Sequence, residues 1–356
     1  MGRCGERKQA TRRMRLGRTR LADGACRVLA AAVTLASAGC LPAGAATLLV
    51  GPDQPLKTPS AAAKVAQDGD LVRIEPMPDG YFDCAVWEAN HLTIEGVGDG
   101  VVITDKTCKG KALFVTVGND ITVRNLTLAR ARVPDHNGAG IRAEGVGLRV
   151  ERTRFVNDEM GILAGEVPKS TITVIDSEFV DDGKCVLRCG HAISVDAATL
   201  LHVERTQFRG TKGGDFILSN ALRTELIGDR IEDGADGVSR YLVQLPSGGS
   251  LVLKDSVLRK GRAAWEPIAV SIVATGDAHP VDELTITGNH VANDTGATLL
   301  FVQNWSDRTA RLDGNVLGKD TIPVSSEGYV WFRMKSLARD VTGKARWFIG
   351  KVRAHL

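Results

Sequence analysis

One segment, DDGKCVLRCGH at positions 181–191, concentrates side chains that could do chemistry. It carries His191 together with two cations, Lys184 and Arg188, beside a pair of cysteines. A histidine can act as a general base, and a cation can stabilise the negative charge that develops when a proton leaves a carbon next to a carboxylate. We therefore take His191, Lys184 and Arg188 as candidate catalytic residues. The alternative is a structural loop in which His191 only begins a strand.

The first 46 residues have the pattern of an export leader rather than of a folded domain. Arginines crowd between Arg3 and Arg20, an apolar stretch follows from Val28 to Ala38, and a small-residue A-x-A cleavage site comes next. The apolar stretch is too short to span a bilayer. The sequence does not decide whether translation starts at Met1 or at Met14. The expected location is the periplasm or the outside of the cell.

Charge and composition narrow the class of partner and of fold. The net charge of +3 becomes about −4 without the leader, so the basic pI does not indicate a nucleic-acid partner. The chain has 39 glycines but only 9 phenylalanines, 5 tryptophans and 3 tyrosines. A globular core usually depends on aromatic bulk, whereas a solenoid fills its interior with rows of aliphatic side chains. The composition therefore favours a solenoid.

Four cysteines remain after the leader: Cys84, Cys108, Cys185 and Cys189. An even number in an exported chain indicates two disulfides, and proximity in sequence suggests Cys84–Cys108 and Cys185–Cys189, although four cysteines permit three connectivities. The alternative is a zinc site made of Cys185 and Cys189 with His191 and Asp181. We expect the disulfides.

A short pattern recurs along the chain and determines the expected fold. Alternating apolar residues followed by a polar turn begin at Leu92, Ile121, Leu148, Ile172, Leu201, Thr224, Leu251 and Leu284, and more weakly at Arg308, with spacings of 23 to 33 residues. Between them lie second short strands such as GAGIRAEG, HAISVD and YLVQLP. Two or three short strands per repeat, with no helix between them, are typical of a parallel β-helix. The leucine-rich repeat is excluded because its spaced leucine frame is absent.

Longer stretches resemble bacterial right-handed parallel β-helix proteins of the pectin-lyase-like superfamily. The matching runs are DCAVW, LTIEG, KTCKGKALFV, ITVRNLTL, NGAGIRAEG, CVLRCGHAI and SRYLVQLPSGG, over roughly residues 48–318. Residues 47–75 are similar to the entry segment of that superfamily, with a short capping helix from Ser60 to Ala66. The resemblance implies a right-handed parallel β-helix that handles an acidic polysaccharide, with β-elimination or epimerisation as the chemistry if the protein is an enzyme.

One coil departs from the resemblance. Such relatives carry Gly-His-x-x-Lys-Ser-Arg after the cysteine pair, whereas here the coil reads GDFILSN, so that Asp215, Leu218 and Asn220 replace the three basic residues. This departure favours a non-catalytic module for binding or for exopolysaccharide or cell-surface assembly. A polygalacturonase-like hydrolase is disfavoured, because Asp181-Asp182 and Gly190-His191 are too close in sequence to lie on successive coils.

Further candidates for substrate binding come from strand parity. If Ile141 and the residues equivalent to it point into the solenoid, Arg142 and Asp196 point outwards and lie in one groove with the region of Tyr241. Asp215 joins them as the polar residue of the divergent coil. The sequence indicates no cofactor, and calcium stays open. The expected organisation is a leader at 1–46, the β-helix at 47–318 and a capping tail at 319–356.

Overall fold

A computed structural model describes residues 44–186, 189–273 and 279–325. Within these ranges the chain winds into an all-β parallel solenoid of about 10 turns. Every named strand ladder in it is parallel, which confirms the predicted class of fold. The strands form three faces, which we call A, B and C in the order A, C, B along each coil. Faces A and B belong to one sheet of 18 strands because β15 and β17 run through both, and face C is a separate sheet of 9 strands.

Face A consists of β1 (Thr47–Val50), β2 (Leu71–Ile74), β4 (Thr93–Gly96), β7 (Ile121–Arg124), β10 (Leu148–Glu151), β13 (Thr171–Ile175), the second parts of β15 (Ile193–Glu204) and β17 (Ile217–Ile227), β20 (Ser250–Lys254) and β23 (Leu284–Thr287). Face B consists of β3 (Ala85–Trp87), β6 (Ala112–Thr116), β9 (Ala139–Ala143), β12 (Met160–Glu166), the first parts of β15 and β17, β19 (Val243–Leu245), β22 (Ile268–Ile272), β25 (Leu299–Asn304) and β27 (Thr321–Ser325). Face C consists of β5 (Val102–Thr104), β8 (Thr127–Ala129), β11 (Arg154–Val156), β14 (Glu178–Val180), β16 (Gln207–Arg209), β18 (Arg230–Glu232), β21 (Val257–Lys260), β24 (His290–Asn293) and β26 (Val316–Leu317).

Aliphatic rows fill the interior because the strands alternate and stack in register. On face A one such row runs through nine coils, from Val72 by way of Val123 and Val203 to Ile286, and its members are buried. Face C adds a stack of three phenylalanines, Phe155, Phe179 and Phe208. Their rings lie nearly parallel, with centroids 4.5 and 4.8 Å apart.

A row of buried polar residues marks the corner between faces A and C. Each backbone N–H in this row donates to the side-chain oxygen of its equivalent in the next coil. Thr206 N–H donates to Asp229 Oδ1 at 2.8 Å, and Ser256 N–H donates to Asn289 Oδ1 at 3.0 Å. We call this row the corner ladder; its members are Thr153, Ser177, Thr206, Asp229, Ser256, Asn289 and Asn315. The ladder satisfies backbone donors that the sharp corner removes from the sheets.

The two ends differ in how much of them the structure describes. The N-terminal segment contains a helix of five residues, α1 (Pro59–Ala63), shorter than the capping helix predicted from Ser60 to Ala66, and Thr58 Oγ1 accepts from Ala61 N–H at 3.2 Å. The predicted leader at 1–46 lies outside the described residues except for its last three. Of the predicted tail at 319–356, residues 326–356 lie outside them as well, and β27 continues the pairing of face B. No helix in the described part of the chain is long and apolar enough to cross a membrane.

Candidate functional site

Three sequence-predicted residues, His191, Asp215 and Tyr241, stack on the outer side of face B in consecutive coils. Two residues after each of them comes a core residue of face B, and these core residues, Ile193, Ile217 and Val243, pair with one another from coil to coil. Direct hydrogen bonds connect them: Asp215 N–H donates to His191 Nδ1 at 3.1 Å, and Tyr241 N–H donates to Asp215 Oδ1 at 3.0 Å. The structure therefore brings these three residues into one cluster.

The histidine of this cluster is largely enclosed. Only 11 % of the His191 side chain is exposed. Burial lowers the pKa of His191, and nearby Arg240 lowers it further, although Asp215 opposes the change. Its Nδ1 accepts a hydrogen bond, so in the neutral ring the proton resides on Nε2. In this arrangement His191 offers a hydrogen-bond donor at Nε2.

Arg240, which the sequence grouped with Tyr241 without giving it a role, lies in front of the cluster. Its Nη2 donates to Gln244 Oε1 at 2.5 Å, its Nε lies 3.6 Å from Asp215 Oδ1, and its guanidinium lies 4.9 Å from the centre of the Tyr241 ring. The Arg240 side chain is nonetheless 42 % exposed. Asp215 is buried, and no hydrogen bond reaches its Oδ2 from the described residues. The guanidinium is thus fixed on one side and open on the other.

A buried lysine supports the backbone that carries Arg240. Lys260 Nζ donates to the carbonyl oxygens of Ser239 and Arg240 at 3.1 and 3.0 Å and lies 3.8 Å from Asp233 Oδ2. Burial lowers the pKa of Lys260 to about 8, although Asp233 opposes the change. Asp233 accepts in turn from Ser239 N–H at 3.2 Å, so this interior ion pair fixes the turn that presents Arg240.

The two predicted disulfides are confirmed as Cys84–Cys108 and Cys185–Cys189. The second excludes the alternative zinc site, because both thiolates that it requires are oxidised. Trp265 lies beside this disulfide, with Gly213 between them. A Cβ atom placed on Gly213 would lie 3.0 Å from Cys185 Sγ and 3.4 Å from Trp265 Cζ2. The Trp265 residue is 54 % exposed, and its backbone N–H donates to Ser239 O at 2.9 Å. The disulfide loop and the turn before Arg240 therefore meet at Trp265.

The two candidate cations of the disulfide loop differ in what the structure describes. Lys184 is exposed, and its carbonyl accepts from Gly190 N–H at 3.0 Å, which keeps its backbone beside the His191 strand. Arg188 lies outside the described residues. Among those residues no group of three or more histidines, cysteines and carboxylates is placed to hold a metal ion.

Arg142 and Asp196 form a second polar group on face B; Arg142 lies on β9, and Asp196 lies on β15, the strand that begins just after His191. Both point outwards, since Ile141 and Val195 beside them are in the core. Arg142 extends across the next coil, where Gly165 has no side chain, and a Cβ there would lie 3.4 Å from Arg142 Nη2. Partial burial raises the pKa of Asp196, and Arg142 opposes the change. The hydrogen bonds of Asp215 place Tyr241 with His191, whereas the sequence grouped Tyr241 with Arg142 and Asp196.

Comparison with known proteins identifies no family for this chain. No protein-family model and no curated protein matches the chain. Among solved structures, the chain is similar to a pectin methylesterase mutant in complex with a hexasaccharide, at 12 % identity and a TM-score of 0.29, covering 77 % of this chain and 79 % of the other. At that TM-score the likeness does not bear on the activity of this chain. The chemistry of this chain is therefore inferred from the residues around Arg240.

Proposed function

We propose that this protein binds an acidic polysaccharide on the outer side of face B, with Arg240 as the carboxylate-binding cation. The observation that carries the proposal is the held but half-exposed guanidinium between Asp215, Gln244 and Tyr241. Arginine binds a carboxylate through two parallel N–H donors, and a guanidinium that is already oriented loses little entropy on binding. A uronate carboxylate is the group that fits it.

An exposed aromatic ring beside the cation supports a sugar ligand. Trp265 is a large apolar surface that the fold leaves open, and the Cys185–Cys189 disulfide lies next to it. Small-molecule sites combine such aromatic surface with a few placed polar groups, and a pyranose ring offers an apolar face together with hydroxyl groups. Arg240 and Trp265 would therefore share one sugar chain between them.

The catalytic alternative is β-elimination or epimerisation led by His191 with Lys184 or Arg188. A base needs an unprotonated nitrogen within reach of the substrate proton. The Nδ1 lone pair of His191 is engaged by Asp215 N–H, and Nε2 carries the proton. We therefore favour a non-catalytic module, in which His191 and Asp215 position Arg240, over an enzyme.

We also propose that the protein works in the periplasm or outside the cell, in exopolysaccharide or cell-surface assembly. Two disulfides support an oxidising compartment.

Right-handed winding of the solenoid is the expected sense, because crossovers between parallel strands are right-handed in nearly all proteins.

The test measures binding and turnover separately on the mature protein. Polygalacturonate and alginate are titrated calorimetrically, and the same mixtures are followed for the ultraviolet absorbance of unsaturated sugar products. The variant Arg240→Gln should bind about 10- to 100-fold more weakly, the loss expected for one charge-assisted hydrogen-bonded contact. The matched control is Arg311→Gln, since Arg311 is an exposed arginine paired with Asp313 on face A, and it should leave the affinity unchanged.

The outcomes separate the alternatives. Binding without product, weakened by Arg240→Gln alone, supports the module. Product that disappears in His191→Gln would establish the enzyme instead. If neither polymer binds the wild-type protein, or if both arginine variants weaken binding equally, the proposed site is wrong.

A further inference from the structure

A second polar cleft lies at the corner between faces A and C, away from the residues around Arg240. It is a shallow cleft, open to solvent, of about 450 Å³. It spans three consecutive coils and is lined by Arg152, Thr153, Arg154, Asp176, Ser177, Glu178, Arg205 and Gln207. Three arginines, two carboxylates, two hydroxyl groups and an amide make it polar on every side.

Two of the arginines stand where the backbone disfavours them. Arg152 and Arg205 have φ values of +44° and +49°, in the left-handed region that suits glycine, asparagine and aspartate. Equivalent corner positions in the neighbouring coils follow that preference; they are Asn125, Asp176, Gly228, Asp255 and Gly288. An arginine at such a corner costs conformational energy that an asparagine would avoid. Arg205 offsets this cost by pairing with Asp176, whereas the Arg152 guanidinium makes no hydrogen bond among the described residues, so its cost is not offset within the fold.

The hydrogen bonds in the cleft leave donors available. Arg205 is committed, because its Nε and Nη2 donate to the two oxygens of Asp176 at 2.7 and 3.1 Å. Arg154 donates through Nε to Glu178 Oε2 at 2.6 Å. Arg152 lies 3.6 Å from Glu151 Oε2, and no hydrogen bond from its guanidinium appears among the described residues. Arg152 and the outer nitrogens of Arg154 can therefore take a further acceptor.

We infer that this corner cleft binds an anionic sugar unit, with the carboxylate or sulfate on Arg152 and Arg154. Both side chains are about half exposed, so a ligand can reach them without rearrangement. The carboxylates of Asp176 and Glu178 and the amide of Gln207 provide partners for hydroxyl groups, which a bare inorganic anion would leave unused. This inference does not depend on the proposed site at Arg240, which lies on another face.

The deciding variant is Arg152→Asn. Asparagine stands at the equivalent corner one coil earlier, where Asn125 Nδ2 donates to Gly96 O at 2.7 Å, so the variant should fold with an unchanged or higher melting temperature. In the Arg240→Gln background, which removes the first proposed uronate site, Arg152→Asn should weaken galacturonate binding at least tenfold, as measured by calorimetry on the mature protein. The matched control is Arg130→Asn, because Arg130 also has a positive φ, of +61°, but lies outside the cleft.

Parallel titrations with galacturonate, a sulfated galactose and neutral galactose identify the anion. In the Arg240→Gln background, where the first site does not contribute, saturable binding of either anionic sugar that is lost on adding Arg152→Asn or Arg154→Gln but kept on adding Arg130→Asn supports the inference. It is overturned if neither anionic sugar saturates the wild type, if galactose binds equally well, or if Arg152→Asn binds normally. A lower melting temperature in Arg152→Asn would also overturn it, since Arg152 would then serve the fold.

Discussion

Asp229 in the corner ladder provides the sharpest test of how this solenoid holds together. It is buried; its Oδ1 accepts from Thr206 N–H at 2.8 Å, and its Oδ2 has no hydrogen-bond partner among the described residues. Burial raises the pKa of Asp229 to about 7, although the backbone donors and Arg205 oppose the change. The carboxyl is therefore protonated in acid and becomes a buried charge above neutral pH.

The raised pKa of Asp229 determines how the stability of the protein changes with pH. The folded-state pKa of Asp229 is raised, so its contribution to stability is fully present below about pH 4 and is lost as the pH rises through about 7. A shift of about three units corresponds to about 4 kcal/mol of free energy of unfolding. The variant Asp229→Asn removes the titration and keeps the acceptor.

The neighbouring coils show that an amide fits this position. Asn289 Nδ2 donates to Leu253 O at 3.0 Å, and Asn315 Nδ2 donates to Ile286 O at 2.7 Å. The equivalent acceptor for an amide at position 229 is the carbonyl of Val203, three residues before Thr206. We expect this bond to form in Asp229→Asn, because the corner ladder repeats its geometry from coil to coil.

The assay is urea denaturation followed by circular dichroism at pH 5, 7 and 9. The gain in free energy of unfolding of Asp229→Asn over the wild type should grow by about 2–3 kcal/mol between pH 5 and pH 9, with most of the growth below pH 7. The control is Asp255→Asn, which makes the same chemical change at an exposed corner aspartate with φ +52°, outside the buried corner ladder. A difference for Asp229→Asn that is flat across pH, or a variant less stable than the wild type at pH 9, would refute the reasoning.

Two further predictions concern the disulfides and the aromatic stack. Replacing both Cys84 and Cys108 by serine should lower the free energy of unfolding, measured by urea denaturation, by about 3.5 kcal/mol. Replacing both Cys185 and Cys189 should lower it by only about 2 kcal/mol, because this pair closes the shorter loop. Equal losses for the two double variants would contradict this prediction. Phe179→Ala should cost about 3–5 kcal/mol, since the ring is buried between two others, whereas Phe82→Ala, at a ring 71 % exposed, should stay within about 0.5 kcal/mol. Similar losses for the two phenylalanine variants would mean that the stack does not hold face C together.

The strands were predictable because alternation and register carry most of the information in a solenoid. The patterns beginning at Leu92, Ile121 and Leu148 coincide with strands of face A, and the second set of short strands coincides with face B. The corner ladder was missed because a serine, threonine or aspartate after a strand resembles an exposed turn. The available signal was its constant offset: Thr206 and Asp229 each stand two residues beyond the end of a face A strand.

The candidate site was predictable only in part, and the reason is physical. Stacking of His191 with Asp215 and Tyr241 follows from the register of face B, which a repeat in the sequence can fix. Arg240 and Trp265 stand on turns between the faces, and turn geometry does not follow from a period of two. The buried Lys260 that supports Arg240 was equally hidden, because a lysine at the end of a strand is usually solvated.

In a parallel solenoid the fold constrains inward residues strongly and outward residues hardly at all. An outward polar residue is therefore weak evidence of function, and the pair Arg142 and Asp196 belongs to this class. Residues that cost stability where they stand are stronger evidence, because the fold would be easier to form without them. Lys260, fully buried behind Arg240, and Arg152, at a left-handed corner, are of this kind. Each belongs to one of the two proposed binding sites, which is why those sites, and not the most regular rows of polar residues, should be tested first.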